Sequence, residues 1–321
     1  MKKNFLIFGA MGHIGYSLCN YLVKKNYTVI GTYNRSSNKH FLKNLNENKV
    51  SLIKCNTGNK KEIFNLFKKN KIDCCVYSAA ISHDSVAKKF PKEAIDVNCY
   101  GLVYLTELQK KYKFKLINIS TGSVFQDIKS SKIKIDEEMA PTPKSIYAST
   151  KRLGEIIVTN NHEIDKKSTN LRISWVYGPP IVLNKFNPQR GPIAFILSEL
   201  FFKNKKKLFF ASGSDFKATF TYIEDISAVI EKMFKLKNFK HPIYHFGSGM
   251  NYSLKDIINF INKNYLDKKI IAGKGFAPWS NDSIIRGPMT SSKKINFYKP
   301  KTSIKEGVAK YIKFLTESRN A

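Results

Sequence analysis

Gly9-Ala-Met-Gly12-His-Ile-Gly15 separates an apolar run, Asn4 to Phe8, from a stretch, Tyr16 to Lys25, whose apolar residues recur at helical spacing. Tyr27 to Thr32 then reads as a second strand. This strand, glycine turn, helix, strand order is a βαβ opening, and it restricts the fold more than any other stretch. The glycines have separate tasks: a tight turn, close approach of backbone N–H groups to a pyrophosphate, and close packing of helix on strand. The positive end of the helix favours the anion. Gly9, Gly12, His13, Ile14 and Gly15 are therefore candidate binders of a dinucleotide.

The alternation continues. Val50 to Lys54, Asp73 to Ala79 and Lys115 to Ile119 read as strands, separated by helical patterns at Lys60 to Lys69 and from about Lys92 to Lys111. This rhythm implies an α/β fold with a doubly wound parallel sheet, covered on both faces, whose ligands lie at the carboxyl ends of its strands. Past Tyr177 the pattern changes: Gly178-Pro-Pro180, Pro188 and Gly191-Pro192 punctuate a loop before an apolar helix from about Ile193 to Phe202. A smaller, partly helical domain begins there. At 321 residues and 42% hydrophobic the chain has material for both.

Composition removes other classes. The five cysteines, Cys19, Cys55, Cys74, Cys75 and Cys99, form no Cys-x-x-Cys pair and have no His partner at ligand spacing. Neither a disulfide framework nor a metal site is expected, and a reducing cytoplasm fits best. Phe5 to Phe8 after two lysines resembles a signal peptide only until Gly9, Gly12 and Gly15 break it, and no apolar run approaches the ~18 residues of a membrane span. The 55 Lys+Arg against 24 Asp+Glu, a net +31, raise the question of nucleic acid. The lysines are scattered as short clusters with no arginine stripe, which argues against it, while the basic surface would steer a phosphate-bearing substrate inward.

The chemistry concentrates between Ser120 and Lys151. A hydroxyl cluster, Ser120, Thr121 and Ser123, ends an apolar run, and Tyr147-Ala-Ser-Thr-Lys151 follows. Four residues apart on a helix, Tyr147 and Lys151 share a face. A phenol of pKa ~10 is a poor proton donor at neutral pH, and a neighbouring cation draws it toward the working range. Tyr147 then suits proton exchange with a carbonyl or alcohol oxygen while a hydride moves at the carbon.

With these marks the chain resembles the short-chain dehydrogenase/reductase superfamily, in its extended branch that works on nucleotide sugars. The resemblance spans nearly the whole chain: the glycine turn, Ala79-Ala80, Asn98, Ser120-Thr-Gly-Ser-Val-Phe125, Tyr147-x-x-x-Lys151 with Gly154-Glu155, Leu171-Arg-Ile-Ser-Trp-Val-Tyr-Gly178, Phe220-Thr-Tyr-Ile-Glu-Asp225 and Ser292-Lys-Lys. It implies a Rossmann-type domain over residues 1–177 plus about 215–250, and a discontinuous substrate domain over about 178–214 plus 251–321. It implies that Tyr147 is the acid/base, that Lys151 holds the ribose hydroxyls and tunes the phenol, and that Thr121 bonds the reacting oxygen, with Ser123 assisting. Ala79, Ala80, Asn56 and Asn98 would lie along the cofactor, although Asn98 could instead only brace its helix.

The second strand is followed by Tyr33, Asn34 and Arg35, without the carboxylate that commonly binds a ribose 2′-OH about 20 residues past the glycines. A guanidinium there accommodates a 2′-phosphate, which favours NADP over NAD. Gly122 and Ser123 stand where dehydratases of the branch have Asp-Glu, so dehydration is not expected. Ser174-Trp-Val-Tyr177, with Glu137 through Glu155, resembles dTDP-4-dehydrorhamnose reductases, whereas the Ser-Lys-Lys ending and Arg286 resemble sugar epimerases. The expectation is reduction of a 4-keto sugar nucleotide; the alternatives are 4-epimerisation with retained NAD, and a non-catalytic NAD(P)-binding regulatory protein. Lys185, Arg190, Lys217 and Arg286 are candidates for the substrate diphosphate, and Ala218 falls where an epimerase arginine is expected. Relatives often pair through helices of the sheet domain, so a homodimer is implied.

Overall fold

A computed structural model describes residues 2–34, 39–128, 132–180, 191–279, 289–290 and 294–320. β1 (Asn4–Phe8), α1 (His13–Lys24), β2 (Thr28–Tyr33), α2 (Lys39–Glu47), β3 (Ser51–Lys54), α3 (Lys60–Lys69) and β4 (Cys74–Tyr77) alternate through the first quarter of the chain. Two short helices, α4 (Asp84–Lys89) and α5 (Pro91–Ile95), lead through a π-helical turn, Asp96–Tyr100, into α6 (Gly101–Tyr112) and then β5 (Lys115–Thr121). α7 (Ile146–Asp165) and β6 (Ser168–Ile173) follow, then β7 (Val176–Tyr177), α8 (Pro192–Leu197), β8 (Lys207–Phe210), β9 (Lys217–Ala218), β10 (Thr221–Tyr222), α9 (Ile223–Lys235) and β11 (Ile243–Phe246). The chain ends with β12 (Tyr252–Ser253), α10 (Leu254–Asn264), β13 (Lys269–Ala272) and α11 (Ile304–Asn320).

Seven strands form the main sheet in the order β11-β6-β5-β4-β1-β2-β3, every pair parallel. This is the doubly wound Rossmann-type architecture anticipated from the sequence. Helices cover both faces, so the central strand β4 is buried along its whole length, from Cys74 to Tyr77. β1 lies between β2 and β4, the point at which the winding reverses and a crevice opens beyond the carboxyl ends of the strands. Register sets Phe8 beside Tyr77, Tyr77 beside Asn118 and Thr121 beside Ile173. Gly9, Ala79 and Thr121 consequently emerge along one edge.

The unbroken helix expected from about Lys92 to Lys111 is instead interrupted by the π turn. Tyr77 causes it from the neighbouring strand: its hydroxyl donates to the Val97 carbonyl at 2.5 Å. A Cβ on Gly101 would lie 2.1 Å from that oxygen. The helix widens to admit a phenol that sequence periodicity does not see.

A second hydrophobic cluster lies apart from those of the sheet. It joins Ile193, Ile196 and Leu197 of α8, Leu254, Ile257, Ile258 and Ile261 of α10, and Val308, Tyr311, Ile312 and Leu315 of α11. The spacing on α10 is the i, i+3, i+4, i+7 stripe of an amphipathic helix, started by a Ser253–Asp256 capping box. Between the two stretches feeding this cluster the chain returns to the sheet through α9 and β11. Among the described residues no helix is long and apolar enough to cross a membrane.

Candidate active site

A cleft of ≈ 850 Å³ runs along the carboxyl edge of the sheet. Gly9, Gly12, His13 and Ile14 form one end with Thr32, Tyr33, Asn34, Asn56 and Thr57; Ala79 and Ala80 line its middle; Ser120, Thr121, Ser123, Tyr147 and Lys151 line the other end beside Ser174 and Trp175. Gly15 lies beneath, where a Cβ would sit 2.1 Å from the Gly9 carbonyl oxygen. Gly9 has φ +82°, and a Cβ there would press on Ala79 Cα at 2.8 Å.

The glycine end fits a pyrophosphate on its own terms. Gly12 caps α1 without a side-chain hydrogen bond, and the first turn holds no acidic residue. Backbone N–H groups and the helix dipole are thus presented to the cleft with no carboxylate competing. His13 contributes less than expected from its side chain: Nε2 meets the Gly178 carbonyl at 2.9 Å and ties the loop after β7 to the turn. Asn56 folds its carboxamide back, Oδ1 accepting from Gly58 N at 3.0 Å while its own N–H donates to Glu62. At this end Tyr33, the last residue of β2, and Asn34 after it offer no carboxylate.

At the other end, α7 owes its start to Ser145, whose Oγ accepts from Ala148 N at 3.3 Å. Gln126 holds that cap in place, Oε1 accepting from Ser145 N at 3.0 Å. The helix therefore begins one residue before Tyr147, which is half-buried in the cleft wall. Lys151, one turn on, is buried and donates to the Ile119 carbonyl at 2.6 Å. Burial pushes its pKa down to about 8, against the opposing pull of Glu155 and Cys99. Below that pH it is a cation placed one helical turn from a phenol. Thr121 Oγ1 accepts from Ser123 N at 3.0 Å, which leaves its O–H proton available to an oxygen in the cleft.

Not every expected residue reaches the cleft. Asn98 is fully buried behind the wall, where Oδ1 accepts from Ile81 N and Nδ2 donates to Thr150 Oγ1. Thr150 in turn donates to the Tyr147 carbonyl at 3.0 Å, so Asn98 braces α7 and the segment after Ala79-Ala80. Lys217 is exposed on β9 and does not line the cleft. Arg35, Lys185, Arg190 and Arg286 lie outside the described residues. Gln126 and Trp175 line the cleft without having been singled out for it. The position of Trp175, two residues past the end of β6, was the available signal.

The model of the NAD dependent epimerase/dehydratase family matches residues 5–247. A UDP-glucuronate 4-epimerase of Thermodesulfobacterium geofontis is 25% identical, covering 98% of this chain and 96% of its own. A dTDP-4-dehydrorhamnose reductase of Aggregatibacter actinomycetemcomitans is 26% identical over 75% of this chain and 72% of its own. Among solved structures, the UDP-glucose 4-epimerase of Thermotoga maritima, crystallised with UDP-glucose, superposes with a TM-score of 0.81 at 18% identity, covering 98% of this chain and 99% of that one. With a family match over well more than half its length and a cleft built to take a dinucleotide, this chain belongs to the NAD dependent epimerase/dehydratase family and is an NAD(P)-dependent enzyme.

Proposed function

We propose that the enzyme reduces the 4-keto group of a nucleotide-activated sugar. The observation that carries this is the meeting of Thr121, Tyr147 and Lys151 in one cleft with the glycine turn. Gly9, Gly12 and the first turn of α1 would hold the pyrophosphate of the cofactor, and Lys151 its ribose. The bound nicotinamide supplies the hydride. Tyr147 delivers a proton to the ketone oxygen as negative charge develops there, and Thr121 donates a hydrogen bond to the same oxygen. Lys151, cationic below about pH 8, favours the phenolate that results. Gly122 and Ser123, in the turn after β5, carry no carboxylate with which to expel a hydroxyl, which supports simple reduction over dehydration.

The sugar nucleotide would enter between the sheet and the second cluster, which we take as the substrate lobe, with Trp175 at the boundary. The missing carboxylate at the end of β2, with Arg35 two residues further on in sequence, favours NADP. Arg35→Asp should then shift relative affinity toward NAD, measured by calorimetry with both cofactors, and unchanged ratios would remove that preference. Five free, buried thiols suit a cytosolic setting.

One observation favours 4-epimerisation as a second reading: the epimerase relative matches over nearly the whole chain, the reductase over three quarters of it. Purified protein separates them. Steady, stoichiometric NADPH oxidation with a 4-keto sugar nucleotide supports reduction. Interconversion of C4 epimers without net NADPH consumption, on a cofactor that co-purifies, replaces it with epimerisation.

A further inference from the structure

Beneath the cleft lies a buried polar row that the mechanism above does not use. Ser120, Arg172 and His245 stand side by side on β5, β6 and β11, in the register Ser120↔Arg172 and Arg172↔His245, one residue short of the strand ends. Glu155 drops into this row from α7, fully buried and one turn beyond Lys151. Ser120 Oγ donates to its Oε1 at 2.5 Å, and Arg172 grips both oxygens through Nε at 2.7 Å and Nη2 at 2.8 Å. Arg152 Nη1 adds a bond to Oε2 at 3.1 Å. A forked guanidinium fixes a carboxylate in direction as well as distance.

A buried ion pair is weak evidence for stability, because desolvation offsets most of the attraction. Its position has a more specific consequence. Ser120 immediately precedes Thr121, while the helix that carries Glu155 carries Lys151 one turn earlier and Tyr147 two turns earlier. The groups facing the Lys151 ammonium include the Ile119 carbonyl from β5, the Cys99 thiol from the π turn, which burial keeps protonated, and, from its own helix, the Tyr147 phenol one turn earlier and Glu155 one turn later. Glu155 is the anion among them.

We infer that Glu155 is a positioning residue of the active site: clamped by Ser120 and Arg172, it sets the height of α7 against β5 so that Tyr147 and Lys151 meet Thr121, and its charge keeps the buried Lys151 cationic. This rests on the role proposed for Lys151 as a holder of the cofactor.

The test is cofactor affinity as a function of pH, from 6 to about 9.5, followed by calorimetry with NADPH and NADH on the wild type, Glu155→Asp, Glu155→Gln and the double variant Glu155→Gln/Arg172→Met. Wild-type affinity should fall as pH rises through about 8. Glu155→Asp keeps the charge and should keep that midpoint, with affinity weakened several-fold by the shorter reach. Glu155→Gln should lower the midpoint by about one pH unit or more, since a nearby anion no longer favours the ammonium. If Glu155→Gln does not fold, the double variant, in which no buried guanidinium is left without its carboxylate, should show a displacement in the same direction, smaller because the Arg172 cation leaves with the anion. A folded Gln-bearing variant titrating at the wild-type midpoint overturns the inference and leaves the role of Lys151 standing. Wild-type affinity that is flat across this range removes the role of Lys151 and the inference with it.

Discussion

At the scale of single residues, the site separates chemistry from binding. Tyr147→Phe removes one oxygen and leaves the cleft wall intact, so cofactor affinity should stay within a few-fold while kcat falls by about 10²–10⁴, the usual contribution of a general acid. Single-turnover rates and cofactor titration on the same preparation check both halves, and near-normal turnover would dismiss Tyr147 as the acid. Lys151 makes the opposite point, that a functional group can be a structural burden. Its folded pKa of about 8 lies below the ordinary lysine value, so between roughly pH 8 and 10.4 the unfolded chain binds a proton that the folded chain has released, and stability rises with pH across that window. Lys151→Met should therefore be inactive yet more stable at pH 7, by about 1–3 kcal/mol after allowing for the lost bond to Ile119, with the gain shrinking toward pH 10.4. Urea unfolding at the two pH values decides it.

At the scale of elements, what was legible in the sequence was whatever is local. The βα rhythm can be read because strands buried on two faces are apolar runs and covering helices keep one apolar stripe. Thr121 could be found at a strand end and Tyr147 with Lys151 on one helix face, since each depends on neighbours in sequence. The short helices α2 and α4 lack that length of pattern, and the π turn depends on Tyr77 from another strand. The Glu155–Arg172 pair was equally hidden: both residues could be quoted as family marks, but their partnership follows from the register of β5, β6 and β11. His245, at the end of that row, yields a prediction of its own. Burial and the Arg172 guanidinium, which donates to Nε2 from Nη1 at 3.0 Å, lower its pKa to about 3. The folded protein thus holds it neutral where the unfolded chain would protonate it, so its contribution is complete above about pH 6.5 and is lost as pH falls toward 3. Glutamine can accept the same bond without titrating. His245→Gln should lose about 2 kcal/mol less than the wild type between pH 7.5 and 5, measured by urea unfolding; equal losses would place the acid sensitivity elsewhere.

At the scale of the whole molecule, the helices on one side of the sheet carry apolar side chains on their outer surface. The helices packed there, α4 to α7, leave Val86, Phe90, Ile95, Tyr100, Leu153 and Ile156 each about two-fifths or more exposed. Tyr100 stacks on Tyr104 at 6.2 Å between ring centroids, and Leu153 and Ile156 sit three residues apart on α7. Large apolar side chains gathered on neighbouring helices are the composition of an interface rather than of a free surface, particularly in a chain with a net charge of +31 that has lysines to spare for solvent. We propose that two copies pair through this face, the clefts remaining outside the contact. The variant Phe90→Glu/Tyr100→Glu places four carboxylates in a symmetric, desolvated contact, and like charges buried without partners are incompatible with it. Sedimentation velocity at tens of micromolar should find the wild type as a dimer and the variant as a monomer. Because neither residue lines the cleft, the monomer should bind the cofactor as the dimer does, and a wild type that sediments as a monomer would refute the pairing.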